Sequence, residues 1–294
     1  MFFQGPMIIF IVIPVYNRKE ITRNCLLSLS KQTNTDFRVV VVDDASTDGT
    51  NEMISNEFPN VILLHGDGNL WWTGAINKGI DFALNNCQDE DFILVLNDDL
   101  VVPKNYISNY HELASKFPET VIGSVIMDIT DRETILNGGI KINWWHAKRN
   151  NLNYKEKLSS FPEGYYTEVS TLTGRGVLFP IEVFRKVGLY NKQHFRHYGD
   201  TELPKRAEKN GYRLIVSYDA VVYSYPLRTI SFSESDKYHL TDFKEYLFGV
   251  RSNANFKTRF WFAYDTAPNV FQGSIYFFFD FARILFHFLR RLSW

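Results

Sequence analysis

The chain has 294 residues, of which 45% are hydrophobic and 22% are charged, and its formal net charge is -1. This length and composition are sufficient for a sizeable buried core, in one large domain or two smaller ones. The near-neutral charge gives no electrostatic reason to expect a nucleic acid partner. Cys25 and Cys87 lie far apart without metal-ligand spacing, which is typical of reduced thiols in a cytoplasmic protein.

The first residues, MFFQGPM, lack the basic segment and long apolar stretch of a targeting sequence. The letters FQGP resemble the remnant of an engineered protease site, so residues 1–6 are predicted to be an expression scar. We therefore expect the native numbering to start at Met7 and leave the scar out of the fold prediction.

Strands and helices alternate along the first hundred residues. The run IIFIVIPVY predicts a strand buried on both faces of a parallel sheet, and an amphipathic helical segment follows it. The runs FRVVVVDDAS, NVILLHG and DFILVLNDD predict three more strands with helices between them. This alternation predicts an open α/β sheet, in which ligands bind beyond the carboxyl ends of the strands.

The alternation weakens from about residue 120. TVIGSVIMD and ILNGGIKIN predict strands around turns, and the polar, aromatic stretch that begins NWWHAKRNN predicts a long excursion or lid. TLTGRGVLFPIEVFRKVGLY predicts a strand, a glycine turn and then a helix with Pro180 in its first turn. Without a repeat or a low-complexity linker, a single α/β domain with a C-terminal extension is expected.

Polar side chains collect at the ends of the predicted strands. They are Tyr16, Asn17 and Arg18 after the first strand, Asp43 and Asp44 after the second, and Asn97, Asp98 and Asp99 after the fourth. Carboxylates grouped at one edge of a sheet suit a hard divalent cation, which would bind a diphosphate as a leaving group. The alternative is that these residues only cap helices and form turns.

The stretch NLWWTGAINKGI offers side chains that could contact a ligand. Trp71 and Trp72 could stack on a base or a sugar ring, Asn77 could give amide contacts, and Gly74 would permit close backbone approach. The alternative is that the aromatic rings fill the core and the glycines allow helix packing.

Asp200 and Glu202, in YGDTELPKRAEKNGYRL, stand at the start of a predicted helix. Acidic residues in a first helical turn complement the helix dipole, which is a purely structural interpretation. The functional interpretation makes Asp200 a general base that removes a proton from an attacking hydroxyl.

Taken together, the order of these motifs closely resembles that of the family 2 inverting glycosyltransferases. The series that carries the likeness spans roughly residues 8–225 and reads VIPVYNR, VVVVDDASTDGT, GNLWWTGAINKGI, VLNDDL, GRGVLFPIEVFRKVGLY and YGDTELPKRAEKNGYRL. NLWWTGAINKGI and LNDDL look like the bacterial rhamnosyltransferase-like group, which builds polysaccharides. The resemblance implies the glycosyltransferase A fold, an open, mostly parallel Rossmann-like α/β sheet flanked by helices. It also implies a nucleotide-sugar donor and Mg²⁺ or Mn²⁺.

The resemblance further implies the roles of individual residues. Asp99 is the expected metal ligand and Asp200 the expected catalytic base. The expected donor-binding residues are Pro14 and Tyr16 in a loop beside the nucleotide, with Asp43, Asp44, Trp72, Gly74, Asn77, Asn97 and Asp98. The expected acceptor-side residues are Gly174, Arg175, Gly176 and Glu202.

The sequence departs from the family pattern in two places. Many relatives carry a His after the strand that matches DAVVYSYP, where it helps to hold metal or phosphate, and Ser224 stands there in this chain. The order GDTE replaces the commoner Glu-Asp pair, and Asp200 is preferred over Glu202 as the base. The Gln-x-x-Arg-Trp signature of processive synthases is absent, so we expect one sugar to be added per encounter.

The expected reaction is the transfer, with inversion, of a hexose from a UDP- or dTDP-sugar, with rhamnose as the candidate. The acceptor is expected to be a hydroxyl of a glycan or lipid-linked glycan in bacterial surface polysaccharide synthesis. The alternatives are an inactive binding subunit with the same fold and a nucleotidyltransferase. The expected divisions are a nucleotide-sugar-binding half at 7–119, an acceptor-binding half at 120–235, and an aromatic-rich helical extension at 236–294.

The C-terminal segment VFQGSIYFFFDFARILFHFLRRLSW is almost long enough to span a bilayer. However, Asp280, Arg283, His287 and Arg290 recur three and four residues apart, which places one polar stripe on an otherwise apolar helix. This stripe favours a helix that lies at a membrane surface, docks on its own domain or forms a homodimer over a helix that spans. We expect a cytoplasmic protein that can be peripheral at the inner face of the cell membrane.

Overall fold

The computed structural model describes residues 6–225 and 237–292. Residues 1–5 of the predicted scar, residues 226–236 at the boundary between the predicted acceptor half and extension, and residues 293–294 lie outside the described residues. The strands are β1 (Ile9–Val15), β2 (Phe37–Asp43), β3 (Ile62–His65), β4 (Phe92–Val95), β5 (Leu100–Val101), β6 (Thr120–Asp128), β7 (Ile135–Asn137), β8 (Ile140–Asn143), β9 (Lys148–Asn151), β10 (Tyr166–Glu168), β11 (Val177–Pro180) and β12 (Arg213–Ser224). The helices are α1 (Lys19–Leu29), α2 (Thr50–Glu57), α3 (Trp71–Leu84), α4 (Tyr106–Lys116), α5 (Ile181–Val187), α6 (Glu202–Lys209), α7 (Phe243–Phe248), α8 (Phe256–Thr266) and α9 (Val270–Arg290).

One mixed sheet organises the described chain. Its strand order is β10-β12-β6-β11-β4-β1-β2-β3, with β5 beside β12 and β7 beside β6. The pairs β1–β2, β2–β3, β1–β4 and β6–β12 are parallel, whereas β11 runs antiparallel to both β4 and β6. The predicted open, mostly parallel sheet is therefore confirmed. The two predicted halves share this sheet, because β11 joins β4 of the first to β6 of the second.

The apolar strand runs are explained by burial on both faces of the sheet. In β1, Ile9, Ile11 and Ile13 belong to one core cluster, and Phe10 and Val12 belong to another. Alternate side chains point to opposite faces of a strand, so the two clusters lie on opposite sides of the sheet. Helices α1, α2 and α4 cover the first side, and α3, α5 and α6 cover the second. A parallel sheet that is covered on both faces needs continuous apolar strands of this kind.

Two local predictions differ from the structure. Pro14 lies inside β1 opposite Val42, not in a loop. It is tolerated there because β4 pairs with β1 only as far as Val12, so beyond that point β1 has a neighbouring strand on one side alone. Pro180 ends β11 and caps α5, and the glycine turn at 174–176 precedes β11 and does not separate it from the helix.

The C-terminal extension packs on the remainder of the chain partly through an aromatic cluster. Trp144 and Ala147, in the turn between β8 and β9, are buried with Phe262 of α8 and Tyr276 of α9. The stretch predicted as an excursion or lid is thus partly a hairpin held under the extension. No helix in residues 6–225 or 237–292 has the length and apolarity that crossing a bilayer requires.

Candidate active site

Asp98 anchors the turn that follows β4. Its Oδ1 accepts a hydrogen bond from Nη1 of Arg18 at 2.7 Å, and its Oδ2 accepts one from the hydroxyl of Thr22 at 3.3 Å. Burial raises the pKa of Asp98 to about 6, against the lowering effect of the Arg18 charge. Asp98 therefore ties the start of α1 to the end of β4, and its oxygens are already bonded to the protein.

Asp99, the next residue, is placed differently. Its Oδ2 lies 3.7 Å from Nη1 of Arg18. Its Oδ1 is buried and has no hydrogen-bond partner among the described residues. A buried polar atom without a partner is unfavourable unless a ligand satisfies it. Asp99 is thus the residue of this turn that can take a cation.

The donor set around Asp99 fits a magnesium-like ion bound together with a substrate. Within the described ranges, no group of three or more His, Cys, Asp or Glu side chains could hold a metal by itself. Mg²⁺ is usually held by one or two carboxylates, water and substrate phosphates, without a complete protein cage. Asp99 would therefore bind the ion jointly with a diphosphate.

Asn97 and Asp200 are connected through Trp72 and Gly174. The indole Nε1 of Trp72 donates to Oδ1 of Asn97 at 2.9 Å, and the Trp72 ring meets Tyr190 edge to face at 5.4 Å. Gly174 lies against the same indole, and its backbone N–H donates to Oδ2 of Asp200 at 3.0 Å. The end of β4 and the start of α6 are therefore brought together through Trp72 and Gly174.

Glu202 and Asp200 have different environments. Glu202 is buried, and its carboxylate is bound by Nε of Arg206 at 2.6 Å, one turn further along α6. Asp200 is half-buried and accepts a hydrogen bond from the backbone amide of Gly174. Glu202 is therefore tied to its own helix, whereas the carboxylate of Asp200 is bonded to the turn at 174–176.

Asp43 and Asp44 organise the loops at the end of β2. Oδ1 of Asp43 accepts from the backbone N–H of Ser46 at 3.0 Å. Asp44 accepts from the backbone N–H of Gly68 at 2.8 Å and that of Trp71 at 3.0 Å. Both carboxylates are buried, so they hold these loops in place and present little surface of their own.

Two expected donor residues do not face the site. The amide of Asn77 donates to the carbonyl of Tyr190 at 2.8 Å and accepts from its N–H at 3.0 Å, so it fastens α3 to the chain before α6. Gly74 faces Leu70 at the start of α3.

Tyr16 is half exposed directly after β1, as expected for a side chain at the strand edge.

The acceptor-side turn contains residues with different surroundings. Gly176 has φ +82, and a Cβ there would collide with the hydroxyls of Tyr106 and Ser124, so the turn requires glycine. Arg175, between the two glycines, is half-buried. The turn leads into β11, and α5 begins only after that strand.

Ser224, at the position expected for a metal-binding His, lies beside the turn that carries Asp99. It pairs with Leu100, the residue that follows Asp99. The side chain is buried, and its hydroxyl donates to the carbonyl of Tyr225 at 3.2 Å. The end of β12 therefore brings no imidazole to Asp99 at this position.

Sequence reasoning missed two residues near Asp200. The pKa of His197 is lowered, mainly by burial. The negative charge of Asp200 opposes this shift, and the positive charges of Arg251 and Arg18 add to it. These charges therefore lie within electrostatic reach of one imidazole. Arg251 belongs to the C-terminal extension, beyond the motifs, and no local pattern in the sequence marks it.

The sequence profile described as glycosyl transferase family 2 matches residues 10–176, more than half of the chain. Among curated proteins, the N-acetylglucosaminyl-diphospho-decaprenol L-rhamnosyltransferase of Mycobacterium tuberculosis is 25% identical over 205 residues, which are 64% of this chain and 66% of that protein. An uncharacterized glycosyltransferase of Rickettsia conorii is 25% identical over 195 residues, which are 63% of this chain and 29% of that protein. The chain thus spans between about a third and two thirds of these relatives.

Solved structures show the same fold. TarS residues 1–349 from S. aureus, in complex with UDP, superposes with a TM-score of 0.59 at 15% identity, over 97% of this chain and 92% of that one. A mannosyltransferase from Pyrobaculum calidifontis, in complex with GDP-Man and Mn²⁺, superposes with a TM-score of 0.53 at 18% identity, over 75% and 57%. The fold is the glycosyltransferase A fold, and the chain belongs to glycosyl transferase family 2.

Proposed function

We propose that this protein transfers a sugar from a nucleotide-diphosphate donor to an acceptor hydroxyl, with inversion at the anomeric carbon. The observation that carries the proposal is the presence of two carboxylates in different environments at one site. Asp99 has a buried oxygen without a partner, and Asp200 lies beyond Trp72 and Gly174. A single displacement needs such a division, because leaving-group charge and the nucleophile's proton appear on opposite sides of the sugar.

In the proposed step, the acceptor oxygen forms a bond to the anomeric carbon while the bond from that carbon to the diphosphate oxygen breaks. The nucleoside diphosphate leaves with the bonding electron pair, and the carboxylate of Asp200 takes the hydroxyl proton. The Gly174 N–H bond to Oδ2 orients this carboxylate. A divalent ion held at Asp99 would stabilise the negative charge of the leaving diphosphate.

For the donor, we propose a UDP- or dTDP-sugar, with rhamnose as the first candidate. Support comes from the M. tuberculosis relative, which is named as an L-rhamnosyltransferase, and from the TarS structure, which holds UDP. For the acceptor, we propose a glycan or a lipid-linked glycan, since the relative's name includes a decaprenol diphosphate. Residues 7–119 would then form the donor half, 120–235 the acceptor half and 236–294 a helical extension.

We also propose that α9 contacts an anionic membrane surface. Phe271, Phe278 and Phe286 on α9 are each about two thirds exposed. Asp280 is the only acidic residue of this helix, and it is buried and bound to Arg259 at 3.0 Å. Asp280 is paired with both Arg259 and Arg283, so α9 presents no unpaired acidic side chain at its surface. An aromatic face edged by cations fits anionic lipid headgroups.

A donor screen and one substitution test the proposed reaction. Thermal unfolding with a panel of nucleotide-sugars and Mn²⁺ should identify the donor, because a bound ligand raises the apparent stability. Asp200→Asn should then bind the donor as tightly as the wild type but lose activity by about 10²- to 10⁴-fold. The matched control is Glu208→Gln, an isosteric change elsewhere on α6, which should keep wild-type activity. Wild-type turnover in Asp200→Asn would refute the assignment of the base.

The metal proposal has its own test. Asp99→Ala should weaken donor binding in Mn²⁺, and a chelator should weaken wild-type binding to about the same level. Donor affinity that is indifferent to the chelator would rule out the proposed ion. Donor binding by the wild type without any transfer or hydrolysis would instead favour an inactive binding subunit.

A further inference from the structure

Arg251 lies in the turn between α7 and α8, at the boundary of the proposed donor site. Its guanidinium carbon is 5.9 Å from the centroid of the Trp71 ring. Its carbonyl accepts a hydrogen bond from the hydroxyl of Tyr198 at 3.1 Å. Trp71 begins α3 and is followed by Trp72, and Tyr198 lies two residues before the proposed base Asp200. Arg251 therefore lies between these two chain segments.

The turn that carries Arg251 is held by buried side chains. The amide of Asn255 donates to the carbonyl of Gly249 at 3.0 Å, and its oxygen accepts from the N–H of Thr258 at 2.9 Å. Ser252 is buried, and its hydroxyl donates to the carbonyl of Tyr246. These bonds fix the backbone around Arg251, while its own side chain is exposed.

Both neighbours of Arg251 have unusual backbone conformations. Trp71 has φ +55 and Tyr198 has φ +57. Bulky residues adopt positive φ only at a free-energy cost, and such residues concentrate at functional sites. For Trp71, the bond from its N–H to Asp44 helps to maintain this conformation.

The charges around the site leave Arg251 without a carboxylate partner. Arg18 is bonded to Asp98 and lies 3.7 Å from Asp99, so its charge is balanced. Arg251 forms no ion pair with any carboxylate in the parts of the chain that the structure describes, although Asp200 and Arg251 both influence His197. It is therefore a cation without a carboxylate partner, next to the segments that carry Trp72 and Asp200.

We propose that Arg251 binds the diphosphate of the donor at the phosphate nearest the sugar. A guanidinium can donate two parallel hydrogen bonds to phosphate oxygens, and the Trp71 ring beneath it would hold its plane. The C-terminal extension would thus supply a cationic contact that the end of β12, at Ser224, does not bring. The inference rests on the proposed function, because it requires a nucleoside diphosphate ligand.

The test compares diphosphates with monophosphates by calorimetry in Mn²⁺. Arg251→Ala should weaken the binding of UDP or dTDP by about tenfold or more, since hydrogen bonds between charged groups are strong. Binding of UMP or dTMP should change less than about threefold, because the contacted phosphate is missing. Arg251→Lys keeps the charge but loses the paired geometry, and it should give an intermediate loss. Lys257→Ala, an exposed cation in the first turn of α8, is the matched control and should bind like the wild type.

The outcomes separate this inference from the proposed function. If the wild type binds neither UDP nor dTDP with Mn²⁺, and no other nucleoside diphosphate, the proposed function fails and the inference fails with it. If the wild type binds a diphosphate and Arg251→Ala binds it equally well, only the inference is overturned. An equal loss for diphosphate and monophosphate in both Arg251→Ala and Arg251→Lys would also overturn it, since a general structural effect would then explain the loss.

Discussion

Gly174 is packed between Trp72 and Asp200, which lie on the two sides of the proposed site. A Cβ at this position would lie 2.6 Å from Cζ2 of Trp72 and 3.2 Å from Cβ of Asp200. Carbon atoms in ordinary contact are about 3.5–4.0 Å apart. In Gly174→Ala, the indole or the turn at 174 must therefore move by about 1 Å. The new methyl group would push apart Trp72, on the donor side, and the proposed base Asp200; this displacement is called the wedge below.

The expected effect of this wedge is mainly on catalysis. Trp72 holds Asn97, and the N–H of Gly174 holds Asp200, so a shift of either group changes the distance between the leaving group and the base. A misplacement of about 1 Å can lower turnover by about 100-fold. Overpacking should also lower the free energy of unfolding by about 1–3 kcal/mol. The measurements are the release of nucleoside diphosphate from the identified donor and unfolding in urea.

A double variant shows whether the wedge is the cause. Trp72→Phe removes the indole atoms that the new methyl group would meet, although it also loses the bond to Asn97. If the clash explains the loss, adding Gly174→Ala to Trp72→Phe should slow turnover little further, because coupled changes are not additive. Wild-type turnover in Gly174→Ala, or fully additive losses in the double variant, would refute the reasoning.

Three further predictions concern stability and binding. Gly79→Ala should lower the free energy of unfolding by about 1–3 kcal/mol in urea, because the methyl group would collide with a valine side chain of β1; unchanged stability would contradict the close packing of α3. Asp98 has a folded-state pKa above its unfolded value, so it favours the folded state most below about pH 4, and this contribution is lost as the pH rises to about 6. With a chelator present, the free energy of unfolding of the wild type should fall by up to about 3 kcal/mol relative to that of Asp98→Asn between about pH 4 and pH 6. Parallel pH profiles of unfolding free energy for the two proteins would contradict the effect of burial. The double variant Phe278→Ser with Phe286→Ser should no longer co-sediment with phosphatidylglycerol vesicles, whereas the control Leu27→Ser, at an exposed site on α1, should still do so. If the wild type does not bind vesicles but forms a dimer that the double variant dissociates, this face of α9 is a homodimer surface instead.

The sheet could be predicted from the sequence where the signal is local. β1 and β4 are continuous apolar runs, β2 contains four consecutive valines at 39–42, and polar residues stand at the end of each strand. The position of β11 could not be predicted in this way. Its four residues fit any sheet, and only the packed structure shows that they lie antiparallel between β4 and β6.

The same limit applies to the candidate site. Asp99 and Asp200 lie in the short motifs LNDDL and YGDTEL, which can be read directly from the sequence, so their roles could be predicted from it. The role of Asn77 could not, because its amide is bonded to Tyr190, which is 113 residues away. The contact of Arg251 with Trp71 likewise depends on how the extension packs.

Helix α9 shows what periodicity determines and what it leaves open. Its polar stripe includes Asp280 and Arg283, and the structure turns both toward the protein, where Arg283 donates to the carbonyl of Ala147 at 2.6 Å. Part of the apolar surface, including Tyr276, is buried, and the remainder faces outward. Burying a large apolar side chain contributes about 1.5–3 kcal/mol, and each cation near an anionic leaflet adds about 1 kcal/mol. On these magnitudes, the exposed aromatic residues of α9 and its arginines would support the proposed reversible attachment to a membrane surface.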